Sequence, residues 1–175
     1  MIYLILNLTI DDVINRYDNL QFVKANVIFY YKLGIVGNSE YERAYYNSLN
    51  KDIWKGEMIY QNNAFNYKFI TKKGKGIELY LSGNNENDYM FEFKYEGKVQ
   101  AVNAFDWAYF MVYKMPKILK EHNYEISQNG NWFVFKKGIR ELRMLIDNNY
   151  RILSVEYYKR GAIMGILKFS DVQIE

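Results

Sequence analysis

The sequence contains no cysteine, a single proline and a single histidine. Without cysteine the chain cannot form disulfides, thiolate metal sites, iron–sulfur clusters or a cysteine nucleophile. With His122 as its only histidine, one chain cannot build a multi-histidine metal centre, and a Ser-His-Asp arrangement has one possible base. We therefore expect no cofactor, no metal and no enzymatic activity. The net charge of +3 is also too small to indicate a nucleic-acid partner.

Long hydrophobic runs are missing as well. The apolar run at residues 1–9 is shorter than the roughly 20 residues that cross a bilayer, and it lacks the basic start of a complete signal peptide. Two interpretations remain open. These residues are the end of an export signal that begins upstream, or they lead into a first helix. In the second case Thr9 is the N-cap, and Asp11 and Asp12 lie in the first turn.

Aromatic residues are abundant, with 18 Tyr, 11 Phe and 3 Trp. Many of them alternate with polar residues, as in residues 89–95, where Phe91 and Phe93 flank Glu92. This period of two indicates antiparallel strands with one buried face. Strands are predicted at residues 22–33, 52–60, 65–70, 77–81, 89–95, 124–127, 132–136, 142–146, 151–158 and 162–172.

Two stretches have a helical period instead, residues 9–20 and residues 103–121. In the second stretch Pro116 should kink or interrupt the helix, because proline has no N–H and clashes with the preceding turn. The apolar stripe of this helix needs a partner, so it covers a curved sheet or plugs a half-barrel. We predict one α+β domain over residues 1–175, with roughly eight to ten antiparallel strands and two helices.

The motifs that come closest to a known family lie in the C-terminal third. Residues 123–130 lead into an aromatic strand at residues 132–135, the next strand ends at Asp147, and the last strand closes with Phe-Ser-Asp-Val at residues 169–172. These motifs, in the order helix, long strand, meander, helix and C-terminal meander, resemble the outer-membrane lipoprotein carrier (LolA-like) family. The proline and arginine that this family carries near residues 62–66 are absent from this sequence.

The resemblance implies a curved antiparallel sheet, a half-open barrel, that is covered by helices. It also implies a hydrophobic cavity between sheet and helix lid that holds acyl chains of a lipoprotein or lipid. Such carriers act in the periplasm or another extracytoplasmic compartment, with membrane-associated donor and acceptor proteins as partners. A lipid cavity needs apolar and aromatic walls. The predicted cavity residues are Trp54, Met58, Tyr60, Tyr67, Phe69, Leu79, Leu81, Phe91, Phe93, Trp107, Phe110 and Met111.

The same aromatic faces also fit a protein without a cavity. In this alternative they pack on each other as the solid core of a structural or protein-interaction module, and loops or a strand edge carry the function. A third hypothesis is an enzyme with a site around His122, which requires Ser, Asp or Glu side chains that converge on its ring. A cavity beneath residues 103–121 would separate the first hypothesis from the second.

Overall fold

The computed structural model describes residues 8–31, 53–71, 78–85, 88–95, 98–101 and 110–175. Within these ranges the chain is mostly β, with two short helices. The elements in chain order are α1 (Ile10–Asp18), β1 (Phe22–Tyr31), β2 (Ile53–Gln61), β3 (Ala64–Thr71), β4 (Glu78–Asn85), β5 (Asp88–Tyr95), β6 (Lys98–Ala101), α2 (Met115–Glu121), β7 (Glu125–Asn129), β8 (Trp132–Lys137), β9 (Arg140–Ile146), β10 (Ile152–Lys159) and β11 (Ala162–Ile174).

All these strands belong to one antiparallel sheet with the order β6-β5-β4-β3-β2-β1-β11-β10-β9-β8-β7. The first and last strands, β1 and β11, pair at its centre, and a meander extends outward on each side. The predicted antiparallel sheet with two helices is confirmed. The described sheet is neither closed nor strongly curled, which corrects the expected half-open barrel. The two meanders grow away from the central pair, so their edge strands β6 and β7 do not meet.

Helix α1 begins where the sequence predicted it. Thr9 is its N-cap, and its side chain accepts a hydrogen bond from the amide of Asp12. The Asp12 carboxylate in turn accepts a 3.0 Å hydrogen bond from the amide of Thr9, which completes a capping box. Hydrogen bonds from the Thr9 side chain and backbone lower the pKa of Asp12. Asp11 also lies in the first turn, where a negative charge favours the helix dipole.

Helix α2 is shorter than predicted. Residues 110–114, which we call the cover segment, form turns or irregular structure, and the helix begins only at Met115. Pro116 was expected to interrupt a long helix, but it lies in the first turn of α2. Its missing N–H costs no intrahelical hydrogen bond there. Residues 103–109 of the predicted helix lie outside the described residues.

The core lies on the face of the sheet that the helices and the cover segment pack against. Alternate residues of neighbouring strands meet there in rows. Ala25, Met58 and Tyr67 form such a row across β1, β2 and β3. Met144 and Val155 pair in the same way on β9 and β10. All five side chains are buried. The period of two in the sequence therefore identified the buried face of these strands.

Strands β2 and β3 approach each other closely at Gly56. A Cβ at this position would therefore collide with the carbonyl oxygen of Lys68. We predict that Gly56→Ala lowers the free energy of unfolding by about 3 kcal/mol, as overpacking does. The exposed neighbour variant Lys55→Ala is the control and should change stability by less than about 0.5 kcal/mol. Chemical denaturation measures both variants. Equal stability of the two would contradict the close approach.

Candidate functional site

A cleft of about 300 Å³ lies between α1, α2, the β2–β3 turn and the cover segment. Binding pockets for small molecules usually measure about 300–1,000 Å³, so this cleft is at the lower end of that range. Buried aromatic and apolar side chains form its interior, and polar or charged side chains lie at its rim. The lining residues are Tyr17, Asp18, Tyr60, Asn63, Met111, Tyr113, Lys114, Lys117 and Ile118.

Three buried tyrosines form the aromatic wall of the cleft. The rings of Tyr17 and Tyr113 meet edge to face with centroids 4.9 Å apart, and the ring of Tyr60 lies 5.9 Å from Tyr113. The Tyr17 hydroxyl donates to the carbonyl oxygen of Tyr150 at 3.0 Å, and the Tyr60 hydroxyl donates to the side-chain oxygen of Asn63 at 3.1 Å. These bonds fix two of the rings that line the cleft.

A tight turn places Asn63 at the rim. Gln61 and Ala64 pair across the β2–β3 hairpin, so the loop consists of Asn62 and Asn63 alone. Both residues have positive φ angles, 52° and 62°, as a type I′ turn requires. Asparagine tolerates this conformation better than most residues. In the sequence, the pair Asn62-Asn63 between two strand patterns indicates this tight turn. The site residues predicted from the sequence did not include Asn63.

Tyr113 carries a buried hydroxyl for which no described residue provides a hydrogen bond. The backbone amide of Ile152 lies near this hydroxyl, but the contact falls short of hydrogen-bond geometry. Burial raises the pKa of Tyr113 well above its usual value, and nearby Asp147 adds to this effect, so the hydroxyl stays protonated. An unmade buried hydrogen bond costs about 1–3 kcal/mol.

Two ion pairs join the helices beside the cleft. Lys117 contacts Asp18 at 2.8 Å, and Lys120 contacts Asp11 at 2.6 Å. All four side chains are about half exposed or more, so these pairs contribute little to stability. The hydrogen bond from Lys117 to Asp18 raises the pKa of Lys117. Lys114 is half-buried, and burial lowers its pKa.

Several of the predicted cavity residues lie deeper than the cleft. Those that are buried in the core cluster, at most 3% exposed, are Trp54, Met58, Tyr60, Tyr67, Phe69, Phe110 and Met111. Of these, Tyr60 and Met111 also line the cleft. The structure describes only the backbone of Leu79, Leu81, Phe91 and Phe93. Leu79 pairs in register with Phe69 and Phe93, and Leu81 with Tyr67 and Phe91. Trp107 lies outside the described residues.

Phe110 closes the core below the cleft. Its ring centroid lies 5.2 Å from Phe29, 5.4 Å from Tyr67 and 6.2 Å from Phe69. Its carbonyl oxygen accepts a 2.7 Å hydrogen bond from the Tyr67 hydroxyl. A second space shares Tyr60, Met111, Tyr113 and Lys114 with the cleft, and we call it the inner extension. It is also bounded by Met58, Tyr67 and Phe110, and it is too narrow for a water molecule. A ligand in the cleft contacts Tyr60 and Met111, but it reaches Met58, Tyr67 and Phe110 only if the cover segment shifts.

No protein-family model and no curated protein matches this chain. Within the described ranges, neither helix is long and apolar enough to cross a membrane. The described residues also contain no group of three or more His, Asp or Glu side chains that could hold a metal ion. His122 is exposed at the C-cap of α2, where its carbonyl oxygen accepts a 2.7 Å hydrogen bond from the Lys137 side chain.

The hydrogen bond between Tyr67 and Phe110 can be tested by removing one hydroxyl. Tyr67→Phe leaves the buried Phe110 carbonyl oxygen without its donor, so we predict a loss of about 1–3 kcal/mol of unfolding free energy. The control is Tyr158→Phe, which removes a hydroxyl that bonds Glu156 in a partly exposed position. It should cost less than about 0.5 kcal/mol. If Tyr67→Phe is as stable as wild type, this hydrogen bond does not hold the cover segment.

Tyr150, whose carbonyl oxygen accepts the Tyr17 hydroxyl, lies in a turn that the Asp147 carboxylate stabilises. The Asp147 carboxylate accepts hydrogen bonds from the amides of Asn149 and Arg151, both at 2.9 Å, and from Arg151 Nε at 2.7 Å. Burial by itself raises the pKa of Asp147, but these hydrogen bonds outweigh it and lower the pKa below the usual 3.8. The ionised carboxylate therefore stabilises the turn behind the aromatic wall.

A lowered pKa predicts a defined pH dependence. Asp147 stabilises the fold above its unfolded pKa of about 3.9, and this stabilisation is lost as the pH falls through the lower folded pKa. We expect Asp147→Asn to be less stable than wild type at neutral pH, and the difference should shrink as the solution is acidified below about pH 4. Denaturant unfolding of both proteins across this range measures it. A difference that stays constant with pH would contradict the charge-based role.

Proposed function

We propose that the protein is a non-enzymatic binding protein that holds an acyl chain of a lipid or lipoprotein between its sheet and its cover segment. The observation that carries this proposal is the aromatic cleft of about 300 Å³, which lies next to the apolar residues around Phe110. A chain that enters from the rim would bury alkyl surface against these side chains. Each buried methylene contributes about 0.8 kcal/mol.

The cover segment is the part that must move in this proposal. Its packing includes the ring contacts of Phe110 and a hydrogen bond from the Tyr67 hydroxyl, and Met111, Val112 and Tyr113 are buried as well. Met111 can change rotamer readily, because methionine is unbranched and flexible. The acyl chain would replace contacts that Phe110 makes with Phe29 and Phe69, so the loss of core packing is offset by the buried ligand.

The LolA-like resemblance supports a wider role for the same site. In that role the protein works in an extracytoplasmic compartment, takes an acylated ligand from a membrane-associated donor and gives it to an acceptor. Release requires the cover segment to open or the acceptor to bind the ligand more tightly. The described sheet is not strongly curled, so the site in this proposal is the cleft beside the cover segment and not the interior of a half-open barrel.

A second candidate function is a protein-interaction module with a solid core. The observation in its favour is the close packing at Phe110, beneath which the inner extension is too narrow for water. In this case a partner would add to the edge strand β7, whose residues are mostly exposed. Binding experiments separate this function from the first, because a solid core has no affinity for acyl chains.

Filling the cleft tests the proposal. The half-buried Ile118 lines the cleft from α2, and in Ile118→Trp the larger ring would occupy the space. We expect wild type to bind a fluorescent fatty-acid analogue and Ile118→Trp to bind it about tenfold more weakly or worse, a loss of 1.4 kcal/mol. Val134→Trp places the same ring at a half-buried position on the opposite face of the sheet and should bind like wild type.

Each outcome of this titration has a distinct meaning. Wild type that binds no probe would contradict acyl-chain binding and favour the interaction module. If both Ile118→Trp and Val134→Trp bind the probe like wild type, the ligand binds outside the cleft. Circular dichroism and thermal unfolding of all three proteins should agree, since a misfolded variant would lose binding for another reason.

A further inference from the structure

We propose that the protein docks on an anionic lipid surface through two adjacent hairpin turns at one end of its sheet. These are the β8–β9 turn, residues 137–140, and the β10–β11 turn, residues 159–162, which we call together the basic tip. Such docking goes beyond acyl-chain binding in the cleft and does not depend on it.

The two turns form one surface because the strands that end in them are paired. Arg140 on β9 pairs in register with Lys137 on β8 and with Lys159 on β10, so the ends of these strands lie side by side. The backbone amide of Arg160 also donates a 2.8 Å hydrogen bond to the carbonyl oxygen of Ile139. This bond joins one turn directly to the other, so both turns meet a partner together.

The basic tip concentrates charge of one sign. Four of its eight residues are basic, two in each turn, and none is acidic. Lys159 and Arg160 are exposed and form no ion pair with any described residue. Lys137 is held by neutral groups, since its ammonium donates to the His122 carbonyl oxygen at 2.7 Å and lies over the Tyr124 ring. These contacts orient the charge of Lys137 and do not neutralise it.

Acidic side chains close to the tip are engaged elsewhere. Glu141 directly follows the first turn, and its carboxylate forms a 2.6 Å ion pair with Arg143. Glu156 precedes the second turn and accepts a 2.8 Å hydrogen bond from the Tyr158 hydroxyl. The basic residues of the tip therefore face an external partner without an acidic group between them.

Two residues of the tip occupy positions that are unfavourable for the isolated fold. Arg160 has a φ of 52°, in the left-handed region that asparagine and glycine adopt with less strain. Ile139 is 49% exposed, although its side chain is apolar. A strained basic residue joined to an exposed apolar one indicates a surface that serves binding rather than folding.

An anionic lipid surface suits this combination of side chains. Lysine and arginine near such a surface are attracted to the negative head groups, and an exposed apolar side chain inserts at the boundary between head groups and acyl chains. Two short turns offer too little area for a stable protein interface, which buries about 800 Å² on each partner. The tip also has no aromatic residue on which nucleic-acid bases could stack.

The basic tip lies at the end of β10 opposite to the cleft. Strand β10 follows the Asp147 turn, in which the Tyr150 carbonyl oxygen accepts the Tyr17 hydroxyl of the cleft wall, and it ends at Lys159. Its 8 residues separate these two ends by about 25 Å. Docking through the tip therefore leaves the cleft uncovered, and the two activities can be measured separately.

Co-sedimentation with vesicles tests the proposal. One set of vesicles contains phosphatidylglycerol and phosphatidylcholine in equal parts, and the other contains phosphatidylcholine alone. We expect wild type to bind the anionic vesicles at least about tenfold more tightly than the neutral ones. This preference should decrease as the salt concentration rises from about 0.05 M to about 0.5 M, because salt screens exposed charges.

Removal of charge at the tip is compared with equal removal elsewhere. The pair Lys159→Gln and Arg160→Asn should weaken binding to anionic vesicles about 25-fold, about fivefold for each charge. The control pair is Lys55→Gln and Lys68→Gln, which removes two exposed charges from β2 and β3. It gives the same net charge and should bind like wild type.

Arg160→Asn alone provides a second readout. Asparagine tolerates a positive φ better than arginine, so the denaturation midpoint should rise while vesicle binding weakens about fivefold. Loss of binding in a more stable variant cannot be attributed to misfolding. A purely structural role of Arg160 would change stability and leave binding unchanged.

Three results would overturn the proposal. The first is equal binding of wild type to anionic and neutral vesicles. The second is a control pair that loses as much affinity as the tip pair, or Arg160→Asn that binds like wild type. The third is tighter binding to a thymidine oligonucleotide than to the anionic vesicles at the same salt concentration, which would identify nucleic acid as the partner of the tip.

Discussion

The contact between the cover segment and strand β3 is the interaction on which the account depends. The Tyr67 hydroxyl donates to the carbonyl oxygen of Phe110, and the Phe110 ring packs against Tyr67, Phe69 and Phe29. An open sheet with one large apolar face requires such a cover, because exposed aromatic surface is unfavourable in water. The same contact separates the outer cleft from the core. Its strength therefore determines how readily a ligand could enter.

The cleft combines side chains from distant parts of the chain. Tyr17 and Asp18 come from α1, Tyr60 and Asn63 from the β2–β3 hairpin, and the remaining lining residues from residues 111–118. The capping box at Thr9 fixes the start of α1, and the Asp147 turn accepts the Tyr17 hydroxyl. The capping box and the Asp147 turn are separate local motifs, and both stabilise the aromatic wall from outside the cleft. Exposed ion pairs join α1 and α2 beside the cleft and contribute little to stability.

Local features of this structure could be predicted from the sequence, and features that depend on long-range packing could not. The alternation of Phe65, Tyr67 and Phe69 predicted the buried face of β3, because side chains switch faces with every residue. Thr9 predicted the helix start for an equally local reason. That the described sheet is not strongly curled was not predictable in this way, since alternation defines the two faces of a strand but not the curvature of the whole sheet.

The charged residues of the cleft were missed for a related reason. Asp18 and Lys117 are 99 residues apart in sequence and meet only because α1 packs beside α2. The helical period over residues 103–121 predicted one long helix. It therefore gave no sign that residues 110–114 form turns or irregular structure. Pro116 marked the boundary, but a proline that interrupts a helix and one that begins it give the same local signal.

Native mass spectrometry of gently purified protein, followed by organic extraction, tests the central claim most directly. The account predicts a bound acyl-chain lipid or acylated peptide that a fatty-acid analogue displaces, with the mass returning to that of the chain alone. A clean mass of 21.0 kDa with no bound species, together with no uptake of the analogue, would contradict acyl-chain binding. That result would instead identify the aromatic cluster as a solid core.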